Sequence, residues 1–242
     1  MKPWHCALCA TKNRSTDAPV QREGMKCRSC ASTWRVRSSV VSLLHAVGAP
    51  LAPLTELEPD WSRHGIGCSD HIALAVALTA RFDYVNTYYH RFPRVDLLDP
   101  PVDLHQQLHF IVCSDVLEHV PGDPIPALKG LHGMLNEYGS VALSVPMAPE
   151  GNTREFYPDM ASRSTRDDFT IDWTDHAGGV HHDSTPEYHG GPGQTLAFRL
   201  WSRPGIEASL RTAGFRHVVE PPFAPHLGVP PLQHHGMLLA YR

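Results

Sequence analysis

The sequence predicts a doubly wound α/β domain preceded by a small metal-bound module. Three observations carry that prediction: two Cys-x-x-Cys pairs within the first 30 residues, apolar strand-like runs that alternate with helix-like ones from Trp61 onward, and sharply polar stretches at the ends of those runs. At 242 residues the chain can bury one substantial core and still carry a small appended module. Its 42% apolar and 19% charged residues exclude a disordered chain. The stretch "MKPWHCALCA" has no apolar signal core, and the longest apolar run, "IALAVALTA" at 72–80, is too short to cross a bilayer. A soluble cytoplasmic protein with no membrane partner is expected.

The N-terminal module comes first. Cys6, Cys9, Cys27 and Cys30 follow the order C-x2-C-x17-C-x2-C, in which each short gap aims two thiolates at one ion and the longer span lets a hairpin return to complete a tetrahedron. Four soft thiolates select Zn(II) and leave no open position, so the site is expected to be structural. No βαβ pattern precedes Cys6, which argues against a redox dithiol. Residues 1–45 carry eight Lys and Arg against Asp17 and Glu23, a net of +6, while the rest of the chain carries −10. Two readings of that asymmetry stay open: Lys26, Arg28, Arg35 and Arg37 neutralise the zinc–thiolate centre, or the basic module contacts nucleic acid.

Residues 46–60, with Pro50, Pro53 and Pro59, read as a linker, and the main domain is expected over 61–242. "HIALAVALTARF" is apolar almost all round, as for a helix buried against a sheet, with Ser69 or Asp70 placed to cap it. "FDYVNTYY" and "HFIVCSD" have the profile of buried parallel strands. "DPIPALKGLHGMLNEYG" begins with prolines, carries Leu128, Leu131 and Leu135 on one face and is expected to stop at Gly139, before the strand "SVALSVP". Residues 147–194, rich in Pro, Gly, His and Asp, are too long for an ordinary connection and read as a lid. A helix "SRPGIEASLRTAGF" and strands near "RHVVE" and "GMLLAYR" close the chain.

In such sheets ligands bind at the carboxyl ends of the strands, where "GIGCSD", "YVNTYY", "VDLLD" and "CSDVLEHV" all fall. The glycine stretch lacks the lysine of a phosphate loop and the third glycine of a dinucleotide fold, and Asp70 would compete with a pyrophosphate for the helix start. A phosphate-free, cationic ligand suits it better.

On "HFIVCSDVLEHVP" followed by a helix and "YGSVALSVP", and on "GIGCSD", "FDYVNTYYHRFPRVD" and "EYHGG", the chain resembles the class I S-adenosylmethionine-dependent methyltransferases over residues 61–242. The segment "CALC…CRSC…WRVR" is similar to the zinc ribbons fused to some of them. The resemblance implies a Rossmann-like sheet of seven strands and methyl transfer from S-adenosylmethionine to a small-molecule acceptor, of the secondary-metabolite or glycan-intermediate type. It implies Gly65 and Gly67 beneath the methionine part of the cofactor with Asp70 at the same edge, Asn86 or Thr87 near the ribose, Asp96 near the adenine, and Ser114 with Asp115 along the cofactor edge. Glu118, His119 and His189 are its candidate catalytic residues, His119 as the base. The run "WSRHGIG" lacks the apolar strand and acidic residue that usually precede the family's first glycine, and "VNTYY" lacks the usual acidic strand end. Two other readings follow: an RNA methyltransferase that grips its substrate with the ribbon, and a methyltransferase-like binding protein without catalysis. Among the lid's His176, His181, His182, Asp183, Glu187 and His189 the spacing matches no metal signature.

Overall fold

The computed structural model describes residues 3–14, 19–189, 191 and 193–242. Gly190 of the "EYHGG" stretch lies outside the described residues. The N-terminal hairpin of β1 (Pro3–His5) and β2 (Lys12–Arg14) leads to helix α1 (Trp34–Ala46). The main sheet contains β3 (Asp60–Cys68), β4 (Phe82–Thr87), β5 (Leu108–Ser114) and β6 (Leu135–Ser144), all parallel. Helix α2 (Ile72–Thr79) joins β3 to β4, and α3 (Ile125–Met134) precedes β6.

Residues 147–194 fold on themselves, not over as a single loop. Strand β7 (Arg154–Glu155) is followed by an antiparallel sheet of β8 (Met160–Thr165), β9 (Ile171–Asp175) and β10 (Val180–Asp183), and then by the pair β11 (Tyr188–His189) and β12 (Thr195–Leu196). The chain returns through β13 (Arg199–Leu200), which pairs with β7, then α4 (Arg203–Ala213), β14 (His217–Val219) and β15 (Met237–Tyr241).

The strand order β14-β15-β6-β5-β3-β4 is a mixed α/β sheet, with β15 antiparallel to β6 and to β14. It has six strands where the resemblance implies seven. Beyond β4 the chain makes only the bridge Tyr88↔Arg94 before the run Pro100–Pro101, whose prolines offer no N–H to a ladder. From β3 the chain first adds β4 on one side and then crosses to β5 on the other, so the order reverses at β3 and leaves a crevice above its carboxyl end.

Several local expectations are corrected. Helix α2 is not buried all round: Leu74, Ala75 and Leu78 face the core while Ile72 and Val76 are exposed. Its cap is His71, whose Nδ1 accepts from the Ala73 amide at 3.2 Å, in place of Ser69 or Asp70. Helix α3 ends at Met134, and Gly139 lies inside β6, where a Cβ would stand 2.7 Å from the Leu108 carbonyl oxygen. The C-terminal helix follows its signals, with Ser202 as N-cap and Gly214 at φ +113° closing it.

Helix α1 lies outside the elements expected from the sequence. Its serines conceal a buried helix: Ser39 and Ser42 donate back to the carbonyls of Arg35 and Ser38, and Trp34, Val40, Val41, Leu43 and Leu44 share one core with Phe82 and Phe110 of the sheet and Cys6 and Leu8 of the module. The N-terminal module is thereby packed directly on the sheet. No helix among the described residues is long and apolar enough to cross a membrane.

Candidate functional site

The two Cys-x-x-Cys loops are built alike. The amides of Cys6 and Cys27 donate to the carbonyls of Thr11 and Ser32, and those of Ala10 and Ala31 donate back to Cys6 and Cys27, with both alanines in the left-handed region at φ +58° and +56°. The four sulfurs lie within 4.8 Å of one another, with Cys6–Cys30 at 3.6 Å and Cys9–Cys27 at 3.7 Å. A tetrahedral ion with metal–sulfur bonds of about 2.3 Å sets sulfur–sulfur edges of about 3.8 Å, so the donor set fits zinc. All four cysteines are free of disulfides. Burial pushes the Cys6 thiol up to about 12, whereas at Cys27 burial is outweighed by N–H donors from Cys30 and Ser29, which bring it down to about 6.

The basic residues around this cluster do different work. Arg37 is fully buried, lies over the Trp4 ring and donates to the carbonyls of Gly228, Ser32 and Met25. Arg35 and Arg22 turn into the sheet: Arg22 Nη1 donates to Asp115 Oδ2 at 2.6 Å, and Arg35 donates to Ser114 Oγ at 2.7 Å with its Nε 3.2 Å from Asp115. Lys26 and Arg28 are exposed. Of the four residues expected to neutralise the metal centre or meet nucleic acid, Arg35 is committed to the end of β5. Burial opposes ionisation of Asp115, but the two guanidinium groups and Ser144 outweigh it and hold the carboxyl below its usual range.

Two cavities open at the carboxyl ends of β3, β4 and β5. The larger, about 590 Å³, is lined by Cys68, Ser69, Thr87, Asp96, His119 and His189 among others. The smaller, about 280 Å³, is lined by Arg35, Ser69, Asp70, Leu74, Ser114 and Asp115. Ser69 and Asp115 border both. Each holds a left-handed backbone, φ +60° and +55°, at the turn where its strand ends.

The stretch "GIGCSD" is not a glycine turn. Gly65 and Gly67 lie inside β3, and neither lines a cavity. A Cβ on Gly65 would stand 2.3 Å from the Phe110 ring, and one on Gly67 would stand 1.9 Å from Tyr84 Oη and 2.3 Å from Asp70 Oδ2. Both glycines make room for the protein's own side chains. Asp70 is buried, accepts from Tyr84 Oη at 2.6 Å through Oδ2 and leaves Oδ1 without a partner. Burial raises it to about 7, against the pull of Tyr84 and Arg35.

The other expected contacts divide. Asn86 spends its amide on the loop itself, accepting from the Asp70 amide and donating to the Asp70 carbonyl and Tyr88 Oη. Thr87 Oγ1 donates to the Gly67 carbonyl at 2.8 Å, and the Asp96 carboxylate caps the Leu98 amide at 3.0 Å while lining the larger cavity. Ser114 Oγ lies 2.8 Å from Ser144 Oγ.

His119 and His189 line one wall of the larger cavity, and the fully buried Glu118 lies behind them. The turn Leu117–His119 brings Glu118 and His119, and β11 brings His189. His119 Nδ1 is 2.8 Å from the Leu196 carbonyl oxygen, which can only accept, so the neutral ring carries its proton there and turns an unprotonated Nε2 toward His189 Nδ1, 3.1 Å away. The Glu118 carboxylate raises His189 above the ordinary imidazole value, against burial.

Arg199, which no sequence signal singles out, fixes this turn. Its fully buried guanidinium donates to the carbonyls of Leu117 and Val120 at 3.0 and 2.9 Å and pairs with Glu155 at 3.0 Å, while the Phe198 amide donates to the Glu118 carbonyl at 2.7 Å. The lid's remaining acid–imidazole groups pair locally, His181 with Asp175 and His182 with Asp172, and Asp183 accepts from Tyr157. Of the residues expected on the lid, His189 is the one that reaches the Glu118–His119 wall.

No protein-family model matches the chain, and no curated protein matches it. Among solved structures it is similar to the 1,6-didemethyltoxoflavin-N1-methyltransferase of Burkholderia thailandensis, with bound 1,6-didemethyltoxoflavin and S-adenosylhomocysteine, at 14% identity and a TM-score of 0.45 over 85% of this chain and 76% of that one. It is similar to an amino pentose methyltransferase of Micromonospora echinaspora, at 15% identity and a TM-score of 0.48 over 87% and 92% of the two chains. A third is an S-adenosylmethionine-dependent methyltransferase of Clostridium acetobutylicum, at 10% identity and a TM-score of 0.48 over 87% and 91%. At these identities the functional reading rests on the chain's own cavities and side chains.

Proposed function

We propose that this chain is an S-adenosylmethionine-dependent methyltransferase acting on a small-molecule acceptor, with Cys6, Cys9, Cys27 and Cys30 holding a structural Zn(II). The observation that carries the reading is Asp70: a buried carboxylate with an unpartnered oxygen, bordering a cavity at the reversal point of the sheet beside a second, larger cavity. A cationic ammonium group satisfies that oxygen, whereas a phosphate would meet it with repulsion. The bound cofactor supplies a sulfonium methyl open to in-line displacement.

The side chains divide the work by position. Asp70 and Ser114 receive the amino-acid end in the smaller cavity, and Asp96 faces the nucleoside in the larger one. Asp115, clamped by Arg22 and Arg35, fixes the border between them. Asn86 and Thr87 act one step back by holding the Asp70 loop, and Gly65 and Gly67 let Phe110 and Tyr84 pack beneath it. The acceptor occupies the rest of the larger cavity against His119 and His189, with Glu118 behind them. Methyl transfer needs little beyond a held near-attack geometry, and His119 Nε2 is placed to receive a proton from a protonated acceptor.

Calorimetric titration of S-adenosylhomocysteine into the zinc-replete protein tests the proposal. Micromolar binding is expected, weakened about tenfold or more in Asp70→Asn, the equivalent of about 1.4 kcal/mol. Asp96→Ala is expected to weaken it as well. A folded protein that takes up no ligand contradicts the proposal.

A further inference from the structure

Glu118 is fully buried, yet neither of its carboxylate oxygens has a well-aligned hydrogen-bond partner. Leaving a carboxylate out of water without a counter-charge is expensive. The groups that approach it are two imidazoles: His189 Nδ1 lies 3.3 Å and His119 Nε2 3.8 Å from Oε1. With 3.1 Å between the two nitrogens, the three atoms form a triangle with edges of 3.1, 3.3 and 3.8 Å. A metal ion bound at about 2.0 to 2.2 Å sets ligand–ligand edges of roughly 2.8 to 3.6 Å, from the short edges of an octahedron to the long edges of a tetrahedron. Two of the observed edges, 3.1 and 3.3 Å, fall inside that range, and the third, 3.8 Å, exceeds it by about 0.2 Å.

A proton shared between the rings accounts for less. It can sit between His189 Nδ1 and one acceptor, Glu118 Oε1 or His119 Nε2, and it leaves the other acceptor without a partner, whereas one ion meets all three atoms. The orientation of His119 also suits a metal ligand, because its Nδ1–H donates to the Leu196 carbonyl and frees Nε2, the outer-shell arrangement that fixes ligating imidazoles. Arg199 and the Phe198 amide hold the turn in place without entering the triangle.

We propose that Glu118 Oε1, His119 Nε2 and His189 Nδ1 bind a divalent first-row transition ion, separate from the four-cysteine cluster. Two imidazoles and one carboxylate suit zinc, iron, manganese or cobalt better than calcium, magnesium or copper(I). Three protein ligands leave open positions, and because His119 and His189 line the larger cavity, those positions face whatever occupies it. An acceptor oxygen bound there would be oriented by the ion and made more acidic by it, and His119 Nε2 would serve as a base only in the ion-free protein. The ion site stands on its own geometry and not on the methyl-transfer reading.

The test is a Co(II) titration of protein freed of loosely held metal by brief dialysis against EDTA, with the four-thiolate zinc verified by elemental analysis. One further equivalent per chain is expected, giving weak visible absorption bands and no thiolate charge-transfer band. His189→Gln, on the half-exposed β11, is expected to lower the affinity about 10- to 100-fold, as is Glu118→Gln. His181→Gln, on the same lid, is expected to leave it unchanged. Circular dichroism verifies the fold of each variant, and His189→Gln decides the matter if the buried Glu118 variant unfolds. Absence of a second equivalent, or its retention in His189→Gln, overturns the proposal. S-adenosylhomocysteine binding by a protein that takes no second ion would overturn the metal site while leaving the methyltransferase reading intact.

Discussion

Replacing Asp70 by Asn removes a carboxyl that burial raises from its ordinary 3.8 to about 7. The folded state therefore binds this proton more tightly than the unfolded chain, and between about pH 4 and pH 7 it carries more protons at this site. Stability from Asp70 is greatest below the unfolded value and is lost as pH rises through the folded one. Roughly three pH units at about 1.4 kcal/mol each make the loss about 4 kcal/mol by pH 8, a large share of a typical 5 to 15 kcal/mol. An Asn amide in the same place leaves a donor unpaired where Oδ1 now has no partner, at about 1 to 3 kcal/mol, but that cost does not vary with pH. The readout is thus the slope. Urea denaturation of both proteins at a series of pH values from 5 to 8 should show the wild type losing stability relative to Asp70→Asn by most of that amount, and titrations elsewhere cancel in the difference. Parallel stability curves would refute the account of Asp70 as an acid whose burial outweighs the pull of Tyr84 and Arg35.

The remaining predictions concern the ground around that carboxylate. Gly67→Ala, whose new methyl meets Tyr84 Oη and Asp70 Oδ2, should cost about 1 to 3 kcal/mol in urea denaturation and weaken S-adenosylhomocysteine binding. Arg22→Ala removes one of the two guanidinium groups on Asp115 and should cost about 1.5 to 3 kcal/mol, with the midpoint of acid unfolding moved to higher pH because the Asp115 carboxyl loses part of what holds it ionised. Extraction of zinc with a strong chelator should lower the melting temperature and also weaken cofactor binding, since Arg22 and Arg35 reach Asp115 from the cysteine module and its helix. Calorimetry on the apo and zinc-loaded protein checks both effects.

The cysteine module was legible because metal geometry constrains spacing directly: two thiolates three residues apart can aim at one ion whatever surrounds them. Strand β5 is legible as an apolar run, and α4 by its serine cap and closing glycine; β4 is legible by its β-rich composition, but it lies at the sheet edge with Asp83 and Val85 exposed and is not the buried strand expected. The role of Gly65 and Gly67 is not legible, because sequence shows that a Cβ is absent but not what fills the space. Here the occupants are Phe110, 45 positions from Gly65, and the Tyr84–Asp70 pair. Helix α1 was hidden by serines whose hydroxyls bond to their own helix and are buried, so its core face does not stand out as apolar. Glu118, His119 and His189 were each singled out, but their convergence depends on the lid folding back along β11 and on Arg199 holding the turn, neither of which leaves a local pattern. The clamp of Arg22 and Arg35 on Asp115 is likewise a long-range contact, and the basic charge alone pointed toward the metal or a nucleic acid.

The most direct test of the central claim is a crystal structure of the zinc-loaded protein with S-adenosylhomocysteine. The account predicts the ligand above the carboxyl end of β3, with its amino group on Asp70 Oδ1, its sulfur near the border formed by Ser69 and Asp115, and open space between the sulfur and the Glu118–His119–His189 wall. Ligand density elsewhere, or an Asp70 oxygen still unpartnered in the complex, would contradict it.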